Sequence, residues 1–143
     1  MASRRTRVHF AVAAALLWIG SATFAKELHW RSLEVEARLE PDGTLAISEV
    51  QRMVFSGEWN GGERQFRLGS GQRLMFDRMT RLEPGTDVGV ELVRGDLDEV
   101  DHYDLASAKT VRWRSRLPSD PPFAETELVY RLEYRIAGAL RKL

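Results

Sequence analysis

From residue 33 the chain reads Leu-Glu-Val-Glu-Ala-Arg-Leu-Glu, so Leu33, Val35, Ala37 and Leu39 alternate with Glu34, Glu36, Arg38 and Glu40. A period of two gives one apolar and one charged face, which predicts a half-buried β-strand. Pro41-Asp42-Gly43-Thr44 follows. Proline presets φ and glycine accepts a positive φ, so these residues predict a tight turn. A second run, residues 45–55, carries Ile47, Val50, Met53, Val54 and Phe55. Its alternation slips near Ser48 and Glu49, which predicts a bulge. The two runs around the turn predict a hairpin.

The same reading continues along the chain. Residues 56–63 hold three glycines and predict a loop, and a short strand follows at residues 65–68. Residues 73–82 alternate with Leu74, Phe76 and Met79 inward, and residues 88–93 form another run. Residues 95–107 are polar and acidic and predict a loop. In residues 110–117, Val111, Trp113, Ser115 and Leu117 oppose Arg112, Arg114 and Arg116. The clearest strand is residues 126–136, with Thr126, Leu128, Tyr130, Leu132, Tyr134 and Ile136 on one face. Trp30, Trp113, Tyr130 and Tyr134 are expected in the core. The fold class is therefore all-β: an antiparallel β-sandwich of about seven strands, although a barrel gives the same pattern.

The first 25 residues do not fit this pattern. Arg4, Arg5 and Arg7 precede an uncharged, mostly apolar run over residues 10–25. A basic start, an apolar stretch and small residues at Thr23 and Ala25 predict a secretory signal cleaved after Ala25. The alternative is an uncleaved N-terminal anchor, although about 16 residues is short for a spanning helix of roughly 20. The expected division is thus residues 1–25 as a signal or anchor helix and residues 26–143 as the β domain. The destination is outside the cytoplasm, in the periplasm or on the extracytoplasmic face of the cytoplasmic membrane.

Composition refines the picture. The chain has no cysteine, which excludes a disulfide scaffold, a thiolate nucleophile and a cysteine metal site. Its formal net charge is zero, and nothing in that balance calls for nucleic acid. Without residues 1–25, 18 basic residues remain against 21 acidic ones, a net −3. The remaining 118 residues can bury roughly 65% of their unfolded surface, enough for one core.

No catalytic, cofactor-binding or metal-ligating pattern stands out; the nucleophile elbow, the paired zinc histidines and the P-loop are all absent. Asp96, Asp98, Glu99, Asp101 and Asp104 crowd one segment, but Val100 and Asp101 occupy positions that a calcium loop gives to other residues, so a solvated acidic loop is the simpler reading. Charge is segregated: Arg64, Arg67, Arg73, Arg78 and Arg81 share their stretch with Asp77 alone, while residues 87–104 hold seven acids and Arg94. Either the arginines offer a basic surface, or the two stretches pair across neighbouring strands, which is the favoured reading. Trp59 on its glycine-rich loop either suits sugar or partner contact or folds back over the sheet edge. Trp59, Asn60, Arg64 and Arg67 are the candidate binding surface.

Asp42-Gly43, Ser48-Glu49, Phe55-Ser56-Gly57, Arg64-Gln65-Phe66 and the stretch from Tyr134 through Gly138-Ala139 recur in an order that resembles one family. It is the N-terminal extracytoplasmic domain of the YciQ-like predicted membrane proteins, a domain of unknown function, and the resemblance spans about residues 28–140. It implies an all-β domain outside the cytoplasmic membrane and no assigned catalytic residues. Members of that family continue past this step into transmembrane helices, whereas this chain stops at Leu143, as a fragment or a shortened relative would. The expected function is a non-catalytic interaction or ligand-binding domain, with membrane or envelope proteins as partners and no cofactor. The alternatives are a cell-envelope hydrolase using paired carboxylates such as Glu49 or acids near Asp101, and a small secreted β-sandwich binding protein.

Overall fold

The computed structural model describes residues 25–140. The expected signal or anchor of residues 1–25 lies, except for Ala25, outside them. Among the described residues there is no helix, and the chain forms nine strands in two sheets where the pattern predicted seven.

β1 (Glu27–Leu39) and β2 (Leu45–Gly57) form the expected hairpin. Its turn closes as the residue types dictate. Gly43 has a φ of 83°, the Asp42 carboxylate accepts the Thr44 N–H at 2.9 Å, and the Glu40 N–H reaches the Thr44 carbonyl at 2.8 Å. The bulge expected at Ser48 and Glu49 is absent, because pairing runs through both residues without a break on both sides of β2. Ile47, Glu49, Gln51, Met53 and Phe55 alternate inward, and two of them are polar; burial, not register, explains the slip. The bulge lies instead at Arg31, between Trp30 and Ser32. It reverses the parity of β1, so that Leu28 and Trp30 share a face with Leu33, Val35 and Ala37.

β3 (Gly61–Gln65) begins earlier than predicted, inside the expected loop. Two glycines sit in this strand because Trp113 lies against it. A Cβ on Gly61 would come within 1.9 Å of the Trp113 carbonyl oxygen, and one on Gly62 within 2.2 Å of its indole ring. β4 (Arg73–Leu82) places Leu74, Phe76 and Met79 on one face through a bulge at Asp77. The run predicted at residues 88–93 is two strands, β5 (Gly89–Glu91) and β6 (Val93–Arg94). The chain changes sheets at the buried Leu92: its N–H bonds the Met79 carbonyl, and the next N–H bonds the Asp101 carbonyl. The expected loop at residues 95–107 contains β7 (His102–Ser107), whose Tyr103 is buried while Asp104 is exposed. β8 (Thr110–Arg114) is shorter than predicted, and β9 (Phe123–Ala137) longer.

One sheet has the order β1-β2-β9-β4-β5, the other β3-β8-β7-β6, with only β6 and β7 parallel. Both line one apolar cluster. Met53, Phe55, Met79, Tyr130, Leu132 and Tyr134 come from the larger sheet, and Tyr103, Val111 and Trp113 from the smaller. β9 is paired on both sides, by β2 and by β4. Among the described residues the long unpaired edge belongs to β1. For that reason Trp30, expected in the core, is 51% exposed.

Candidate functional site

The two sheets meet unevenly where β1 and β3 form neighbouring edges. Between them runs a groove of about 460 Å³, whose lining includes Leu28, Trp30, Met53, Trp59, Arg64 and Arg112. Three of the four candidate residues, Trp59, Asn60 and Arg64, meet here. Arg67 does not line the groove; it is exposed past the end of β3 and joins no ion pair among the described residues.

Trp59 is folded back over the sheet edge. Its indole N–H donates to the carbonyls of Glu27 and Ser56, both at 3.0 Å, and its ring meets Phe55 edge-on at 6.0 Å. Asn60 is a connector. Its backbone carbonyl accepts the N–H groups of Ser115 and Arg116, and its side-chain oxygen accepts from the Arg116 guanidinium at 2.8 Å. The exposed aromatic surface of the groove comes from Trp30, a residue that sequence reasoning placed in the core. The parity change around residue 31 was the available signal, and its exposure depends on β1 being an edge.

Arg64 ties the sheets together. From β3 its guanidinium reaches Glu49 on β2, with Nε to Oε1 at 3.1 Å and a second nitrogen to Oε2 at 3.2 Å. The same carboxylate accepts from the Gln51 amide at 2.5 Å and the Tyr134 hydroxyl at 3.1 Å. Burial alone would raise the Glu49 pKa, but hydrogen bonds from Arg64 and Gln51 and the Arg64 charge outweigh it and hold the group below its ordinary value. Tyr134 is pushed up to about 12, by burial first and then by the neighbouring Glu49 charge. A carboxylate engaged by four donors is an anchor that stays ionised. Asp42, Glu63 and Glu133 also shift downward, each mainly through hydrogen bonds from a neighbour: Thr44, Gln65 and Arg78 respectively.

The segregated charges pair more widely than expected. Arg81 and Asp101 join the basic and acidic stretches through two contacts of 2.6 Å. Elsewhere the partners come from other strands. Arg64 takes Glu49, Arg78 takes Glu133, Arg131 takes Asp87 and Arg135 takes Asp77. In the acidic stretch the His102 ring meets the Asp96 carbonyl at 2.9 Å, and no group of three or more metal-ligating side chains gathers among the described residues. No protein-family model, curated protein or solved structure matches the chain.

Proposed function

We propose that the chain is a non-catalytic interaction or ligand-binding module with a β-sandwich architecture, acting outside the cytoplasmic membrane. Residues 1–25 deliver it there, as in the YciQ-like domain that the sequence resembles, and its partners belong to the membrane or the cell envelope. The observation that carries this reading is the groove at the open edge, lined by the exposed Trp30 and by Arg64 and Arg112, which Glu49 and Glu63 hold in place. A flat aromatic face stacks on the apolar face of a sugar ring, and the surrounding arginines donate to its oxygens. Glu49 supports the reading indirectly, because it holds Arg64 at the groove and has no lone pair to spare for acid–base work.

The test is a fluorescence titration of the full chain with soluble N-acetylated oligosaccharides. Binding is expected to change the tryptophan emission, and Trp30→Ala is expected to weaken it about tenfold, roughly 1.4 kcal/mol. Equal binding by the variant, or none by the parent, would sink the groove as the site.

A further inference from the structure

We propose that the outer edge of β1 over residues 32–39 is a strand-addition site for an extended partner segment in which apolar residues alternate with lysine or arginine. It goes beyond the groove, since neither Leu33 nor Val35 lines it.

Among the described residues β1 pairs with β2 alone, so its other edge offers a row of backbone donors and acceptors. Natural edges are protected by proline, bulges or inward-pointing charges. Residues 32–39 have no proline, bulge or inward-pointing charge, and their charged side chains, Glu34, Glu36 and Arg38, lie on the outward row. The bulge at Arg31 lies before the stretch, and the row that turns toward the core side is Leu33, Val35, Ala37 and Leu39. Leu33, Val35 and Leu39 are 54%, 55% and 51% exposed. The smaller sheet does not extend over them. A regular edge of this length with one exposed apolar row is the geometry to which extended segments add.

The opposite row selects the occupant. It reads Ser32, Glu34, Glu36 and Arg38, with Glu40 just beyond. Arg38 is already bound to Glu40 at 2.7 Å. Glu34 reaches Arg52 only at 3.8 Å, and Glu36 joins no ion pair among the described residues. The edge is therefore acidic. A second copy of this chain fits poorly. In an antiparallel self-pair that keeps the apolar rows together and is centred on Glu34, Val35 or Glu36, a glutamate faces a glutamate, and like charges directly opposite destabilise a sheet. A strand with basic residues at those positions places opposite charges there instead.

The experiment measures binding of the full chain to a capped, labelled peptide of about ten residues, a typical strand length, that alternates valine and lysine. The lysine peptide is expected to bind at least about tenfold more tightly than its glutamate counterpart, and added salt is expected to weaken it. Glu34→Lys with Glu36→Lys is expected to reverse the preference. Leu33→Lys with Val35→Lys places charges on the inward row and is expected to abolish binding of both. All four positions are exposed, so the fold tolerates these changes. Trp30→Ala is expected to leave peptide binding intact, which separates this site from the groove. Indifference to peptide charge, no binding of either peptide, or dimerisation through β1 that Leu33→Lys with Val35→Lys disrupts would each overturn the proposal.

Discussion

Glu49 sits where β2 would ordinarily carry an aliphatic side chain, and it is 2% exposed. An ionised carboxylate there is tolerable only because Arg64, Gln51 and Tyr134 supply donors to both oxygens. Removing it strands a guanidinium and a hydroxyl together. A fully buried pair broken in this way costs roughly 3–5 kcal/mol; the Arg64 side chain is 35% exposed, so Glu49→Ala is expected to cost about 2–3 kcal/mol. Asp77 and Arg135 are 36% and 48% exposed, and Asp77→Ala is expected to cost less than about 1 kcal/mol. Urea denaturation measures both, and equal losses would remove Glu49 from its role as the link between sheets. The alternation of β2 was readable, but its two polar positions read as a bulge. One sequence gives no sign that an arginine fifteen residues later answers the carboxylate. Trp30 was misplaced for a similar reason: its type suggests a core, and only the order of strands makes it an edge.

At the scale of elements, what is local was legible. The turn at Pro41-Asp42-Gly43-Thr44, the hairpin around it and the two faces of β9 follow from neighbouring residues. The short strands did not. β5 and β6 separate because Leu92 bonds one sheet and Val93 the other, which no window around them records. β3 was expected to begin four residues later because glycine lowers strand preference, whereas here the two glycines make room for Trp113. Gly62→Ala is therefore expected to displace the Trp113 ring and destabilise the protein by about 1–3 kcal/mol, the range for overpacked sites. Loss of near-ultraviolet circular dichroism together with a lower melting temperature would show it; an unchanged spectrum would mean that the ring has room to move.

Across the whole molecule, all three tyrosines are shifted upward, chiefly by burial, and Tyr130 and Tyr134 reach about 12. Their unfolded value is near 10.0, so their contribution to stability is complete below that pH and is lost as the pH rises towards about 12. Glu49 shifts the other way: its contribution is present above its unfolded value near 4.5 and is lost as the pH falls through its lower folded value. The urea midpoint is expected to form a plateau between these limits. Tyrosinate absorbance is expected to appear only as the alkaline unfolding begins; early titration of all three rings near their unfolded value would contradict the buried arrangement. Strand order has one more consequence, in time. β9 lies between β2 and β4 but is the last of the nine strands to be synthesised. About 65 residues separate the end of β2 from its start, roughly 3–13 s of translation. Throughout that interval the larger sheet lacks its middle, so the nascent chain cannot lock. The two halves of that sheet stay unjoined until β9 has left the ribosome.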